Sequence, residues 1–239
     1  MIENKPIGMR IGESVFCGGY LIFVLVSGLI FILRLTDNSL SQKPLWAACA
    51  CMALLLFAGD GFHLIPRIMM NIKGDVSDKE KTWRFLIGLG NLISSITMTL
   101  FYIALFYAVY YLNAFSYGAD HPGITGSYSF PLLMIMSVFA ATRLILCLMP
   151  QNDWFGGYGN KSLALIRNIP FIMVGILSVV NLISYQIYNG GPNLYLAVLV
   201  VLSFVFYMVV VLCAKNKPML GMLMIPKTIC YILIICVFL

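Results

Sequence analysis

Asp60, His63 and Arg67 lie within the stretch Ala58-Gly-Asp-Gly-Phe-His-Leu-Ile-Pro-Arg67. They stand at i, i+3 and i+7, so a helix carries all three on one face. An acid, an imidazole and a guanidinium on one stripe supply a proton donor, a relay and a holder for an anion. The stripe closes an apolar run that begins at Leu45. Ionisable groups are costly in such a run and normally face a protein interior or a watery cavity, where they mark function. An ion pair that only locks helices together is the competing explanation.

The elements that hold this stripe follow from composition. Of 239 residues, 61% are hydrophobic and 10% are charged, and the mean hydropathy is +0.95. Soluble domains carry roughly 25% charged residues. The expectation is an all-α polytopic membrane protein, a bundle of seven transmembrane helices forming one domain over 1–239. The net charge of +6 is scattered through short loops, so a nucleic-acid partner is not expected and the bilayer is. No cleavable signal peptide is expected, because Glu3 and Glu13 interrupt the start and the first apolar run is too long. The seven cysteines are odd in number and lie mostly in apolar runs, where they act as small hydrophobes. With only His63 and His121 available, neither a metal nor another cofactor is expected.

The apolar runs predict spans at 11–35, 45–66, 85–112, 128–149, 163–188, 194–214 and 218–239. Lys5, Arg10, Arg67, Lys73, Lys79, Lys81, Arg84, Lys161, Arg167, Lys215 and Lys217 fall on one side, and only Arg34 and Lys43 on the other. That bias puts the N-terminus in the cytoplasm and the C-terminus outside, in a bacterial-type plasma membrane. Tyr107, Tyr110, Tyr111, Tyr117, Tyr128, Tyr188 and Tyr195 then form an outer aromatic belt. The segment 189–192 reads as a tight turn. The Gly-rich segment 151–160 reads as a loop resting on the headgroups.

Orientation assigns each polar group a depth. Asp60 and His63 fall in the cytoplasmic third of the second span. Asn91, Ser95, Thr99 and Tyr102 form one stripe on the third span. Arg143 lies in the cytoplasmic third of the fourth, and Arg167 and Asn168 open the fifth. Lys227 falls about mid-depth in the seventh, after Pro226, which can kink that helix. The sixth span is almost purely apolar and is expected at the periphery. Hydroxyls alone are usually glue between helices, but Asp60, Arg143 and Lys227 exceed what packing requires. A net-positive cavity open to the cytoplasmic leaflet is expected, suited to an anionic group such as a phosphate. The Lys and Arg fringe from Arg67 to Arg84 suits anionic lipid.

Gly59-Asp60, Leu64-Ile65-Pro66-Arg67, and Phe85-Leu-Ile-Gly-Leu-Gly90 leading to Leu100-Phe-Tyr102 together resemble the YhhN-type lysoplasmalogenase family. The resemblance covers 54–106, with an echo at Cys230-Tyr231. It implies hydrolysis of the vinyl ether bond of a lysophospholipid substrate, giving a fatty aldehyde and a glycerophospho headgroup. For that chemistry the expected catalytic residues are Asp60, which donates or accepts the proton, and His63, which relays it, with Arg143 or Arg67 holding the phosphate. The chain departs from the family pattern in three ways. It lacks an eighth span, has Ser94-Ser95 where a histidine is common, and has no acid in 194–214. The missing acid in 194–214 favours the alternative of a non-catalytic lipid-binding or sensory relative. A small-solute transporter using Asp60 and Lys227 as a gated pair is a further alternative. A retinal protein on Lys227 ranks last, because Trp46, Trp83 and Trp154 sit at span ends and the third span has no acid.

Overall fold

Where water is absent, a backbone satisfies its own polar groups most simply as a helix, and long apolar runs here do so. The computed structural model describes residues 7–37, 42–73, 80–116, 129–155, 161–189, 191–213 and 223–239. Among them are seven α-helices: α1 (Ile7–Asp37), α2 (Lys43–Lys73), α3 (Glu80–Ser116), α4 (Ser129–Leu148), α5 (Lys161–Asn189), α6 (Asn193–Cys213) and α7 (Met224–Cys236). A 3-10 turn at Pro150–Asn152 follows α4. Six helices are long and apolar enough to cross a membrane. The seventh, α7, has 13 residues, about 20 Å of helix. The expected positions Glu3, Lys5, Lys79, Tyr117, His121, Tyr128, 156–160, Lys215 and Lys217 lie outside the described residues, as does the side chain of Tyr188.

The surface is inverted relative to that of a soluble protein. Ile22 is 65% exposed and Ile145 66% exposed, whereas Arg143 is 1% exposed. Outward Ile, Val and Leu with inward Arg, Asn and Lys match a hydrocarbon solvent. The chain is a multi-pass membrane protein by these features.

Neighbouring helices pack in chain order from α1 to α7, and α7 returns to α1, so the bundle closes as a ring. The largest contact is between α2 and α3, and glycine explains it. A Cβ on Gly90 would stand 2.5 Å from the Phe62 carbonyl oxygen and 2.8 Å from the His63 Cα. A Cβ on Gly59 would overlap the Thr97 side chain. Small residues let helix backbones approach closely. α2 runs on through Pro66 to Lys73 instead of stopping near the proline. Pro66 has no N–H for the Phe62 carbonyl, and that carbonyl lies against Gly90. We expect Gly90→Val to destabilise the protein by at least about 1–3 kcal/mol, the usual range for overpacking. The check is the melting midpoint in detergent, and an unchanged midpoint would show that α2 can move aside freely.

The two ends of the ring differ in charge. At one end Arg10 donates to the Asn71 carbonyl, and Arg67 pairs with Glu13 at 2.5 Å. Arg167 sits at the same end, over the Trp154 ring at 4.0 Å. At the other end Arg34 lies 4.7 Å over the Trp46 ring. Its guanidinium donates to the Phe238 and Leu239 backbone oxygens at 3.2 and 2.6 Å. Tyr107, Tyr111 and Phe115 stack along α3 towards this second end. An amide pair, Asn113 and Asn193, clasps α3 to α6 there with two reciprocal bonds of 3.1 and 3.0 Å.

Two expectations change. The sixth helix is not peripheral: Leu196, Val200 and Ser203 are fully buried, and α6 contacts both α5 and α7. Its few polar residues fall on the inward face. Pro226 is not a kink. It sits in the first turn of α7, where a missing N–H costs no helical hydrogen bond. Lys227 follows it, and the expected start of that span, 218, lies outside the described residues.

Candidate functional site

Tyr20, midway along α1, donates its hydroxyl to Asp60 Oδ2 at 2.6 Å. Both residues are buried. A short bond of that length fixes the carboxyl group's orientation. Asp60, one turn before His63, opens onto a cavity of about 310 Å³. This volume is at the lower end of ligand cavities, ~300–1,000 Å³. The buried Nδ1 of His63 has no hydrogen-bond partner.

Cations stand in the same cavity. Arg143 from α4 packs its guanidinium 3.3 Å from the Phe171 ring centroid. Its Nε and Nη1 are buried and make no hydrogen bond. Arg167 from α5 donates to Asn152 Oδ1 at 2.8 Å. Lys227 from α7 lies 5.0 Å from the Tyr207 ring and 5.3 Å from the Tyr231 ring. Two aromatic faces stabilise an ammonium group. Asp60 is its nearest acid in electrostatic terms, yet no ion pair closes between them. The two unbonded guanidinium nitrogens are the informative feature, because a buried donor without an acceptor is costly unless something else supplies one.

The cavity gathers Asp60, His63, Arg67, Asn91, Ser95, Arg143, Arg167 and Lys227 from the expected set. Thr99, Tyr102 and Asn168 stand behind its walls. Thr99 turns its hydroxyl back to the Ser95 carbonyl at 2.8 Å, as hydroxyls in helices commonly do. Tyr102 shares a buried 3.1 Å bond with Ser203. Asn168 accepts from the Tyr207 hydroxyl at 2.9 Å and so holds a wall residue in place. Arg67 lines the cavity but already has Glu13 as its counter-ion, which leaves Arg143, Arg167 and Lys227 as the cations for a ligand.

Over its described part, 151–155, the segment after α4 turns two side chains inward. Asn152 is buried and donates to the Leu146, Cys147 and Met149 carbonyls. Trp154 donates to the Cys147 carbonyl at 2.9 Å. The Trp154 carbonyl sits where a Cβ on Gly88 would be, so the glycine admits it. These bonds cap α4, and they turn Trp154 into the cavity wall. A tryptophan therefore does stand in the same cavity as Lys227.

Residues overlooked in the sequence are Tyr20, Glu13, Tyr207, Tyr231 and Trp154. One signal was present. Glu13, Tyr20, Ser27 and Arg34 recur every seven residues along α1 and so share a face. Tyr20 bonds Asp60, Glu13 pairs Arg67, and Arg34 bonds the end of the chain. No protein-family profile, curated protein or solved structure matches this chain.

Proposed function

We propose that the chain is a membrane-embedded lipid hydrolase of lysoplasmalogenase type. It cleaves the vinyl ether bond of a lysoplasmalogen in a cavity open to the cytoplasmic leaflet. One observation carries the reading: Tyr20 holds Asp60 on a cavity wall that Arg143, with two unbonded nitrogens, also lines. An acid beside cations with free donor capacity fits a substrate with a proton-accepting carbon and a phosphate.

The chemistry balances with one water. The carboxylic acid of Asp60 protonates the vinyl β-carbon, giving an oxocarbenium ion. The resulting carboxylate stabilises that cation. Water adds to the cationic carbon, and His63 takes its proton. The hemiacetal then collapses: the His63 imidazolium gives its proton to the leaving glycerol oxygen, the hemiacetal hydroxyl gives its proton back to the Asp60 carboxylate, and the fatty aldehyde departs with both side chains restored. Arg143, Arg167 and Lys227 hold the phosphate. In this reading there are seven transmembrane helices, with the N-terminus in the cytoplasm, the C-terminus outside, and a bacterial-type plasma membrane around them. The gathering of Arg10, Arg67 and Arg167 at one end supports that orientation.

The test is a substrate panel. The purified protein is given lysoplasmenyl-choline and -ethanolamine beside the matching ester lysolipids. Aldehyde from the vinyl ether lipids is the expected product. Fatty acid from the esters alone would replace the reaction, and no product from either would reject hydrolysis. Tyr20→Phe leaves Asp60 short of one buried hydrogen bond, worth about 1–3 kcal/mol. We expect kcat for aldehyde release to fall roughly 10- to 100-fold, with KM little changed. An unaltered kcat would remove Tyr20 from the site.

A further inference from the structure

A second cavity, of about 230 Å³, lies in the seam between α1 and α7. Its walls are mainly apolar, with Phe16 and Cys17 from α1, Leu64 from α2, and Met224 and Ile225 from α7. It shares Leu64, Arg67, Met224 and Thr228 with the polar cavity, so the two meet at a common wall.

The bonding around α1 shows why the seam lies here. On one flank α1 is tied to α2 by Arg10 to the Asn71 carbonyl, Glu13 to Arg67 and Tyr20 to Asp60. On the other flank Arg34 pins α1 to the end of α7. The seam cavity is at the opposite end of that flank, beside Glu13 and Arg67. Among the described residues, α1 against α7 is the sparsest pairing in the ring. The seam is thus fastened at one end and unfilled at the other.

We propose that this seam is a lateral entrance from the bilayer that takes one hydrocarbon chain of an amphiphile whose phosphate-bearing head lies at Arg143, Arg167 and Lys227. The inference rests on the reading that the polar cavity holds such a head. An apolar cavity set against a cationic one across a shared wall of Leu64, Arg67, Met224 and Thr228 matches the two halves of that ligand. The seam cavity is below the ~300–1,000 Å³ of ordinary ligand pockets, which fits one chain and not two. The Glu13–Arg67 pair stands at the junction and keeps Arg67 from competing for the phosphate.

The test uses the full chain in detergent and a lysophosphatidate carrying a diazirine midway along its single chain. After photolysis, adducts are mapped by mass spectrometry. Adducts are expected on Phe16, Cys17, Leu64, Met224 and Ile225, well above those on the outward Ile145 of α4 and Ile176 of α5. Gly12 also lines the seam, and a Cβ there meets nothing within 4 Å, so the backbone admits a side chain at this position and Gly12→Trp is the variant designed to fill the seam. Seam adducts should then fall by about tenfold, as if roughly two methylenes were excluded. Binding of chainless glycerol 3-phosphate should be unchanged, which also reports folding. Adducts spread evenly over α4 and α5 would overturn the proposal, and so would seam adducts that ignore Gly12→Trp. The wild-type map stands even where the variant fails to fold. Seam labelling without aldehyde release would sink the hydrolase alone. Aldehyde release with labelling elsewhere would sink the entrance alone.

Discussion

Asp60→Asn abolishes aldehyde release, with an expected fall of about a thousandfold, within the range for losing a general acid. The amide is the same size as the carboxyl and its oxygen still accepts from Tyr20, so the 2.6 Å bond that positions the group has a counterpart. What disappears is the proton for the β-carbon and the negative charge left beside the oxocarbenium ion. The cations of the site are untouched, so glycerol 3-phosphate binds as before. The measurement is kcat for aldehyde release, with the binding constant as the control on folding. Turnover within tenfold of the parent would mean that Asp60 is not the donor.

Arg143→Met moves stability and binding in opposite directions. The Arg143 guanidinium is buried, with Nε and Nη1 unbonded, and Phe171 beneath it offers only a ring face. Apolar replacements of buried ionic groups are often neutral or stabilising by about 1–4 kcal/mol. The variant without ligand is therefore expected to melt higher than the parent. A phosphate loses its most buried partner, and truncating a buried charge contact costs about 2–5 kcal/mol. Affinity for glycerol 3-phosphate should drop by roughly 30-fold or more. Thermal melting and calorimetric titration of the same two preparations read both effects. A lower melting point with unchanged affinity would make Arg143 a structural strut.

Much of the frame was legible because hydrocarbon imposes a simple rule. An apolar run of membrane length is a helix, and a charge within it must face inward. Asp60, His63, Arg143 and Lys227 obey that rule, and the fold brings them to one cavity. The sequence was less informative about partners. The spacing at 60, 63 and 67 showed a shared face, but not that Arg67 would be engaged by Glu13 from another helix. Tyr20 and Tyr207 did not stand out, because a tyrosine has an apolar body and only its hydroxyl reveals a role. The place of Trp154 in the cavity wall was missed for a different reason. Its position depends on Asn152 capping α4 and on the missing Cβ of Gly88, a contact between residues 66 positions apart.

The most direct measurement is a single turnover in heavy water. Protonation of the vinyl β-carbon by an exchangeable acid places one deuterium on the carbon next to the aldehyde. The aldehyde is trapped as it forms and weighed by mass spectrometry. One carbon-bound deuterium per aldehyde, lost together with the product in Asp60→Asn, is the predicted result. Aldehyde without that deuterium, or with it undiminished in Asp60→Asn, would contradict the account.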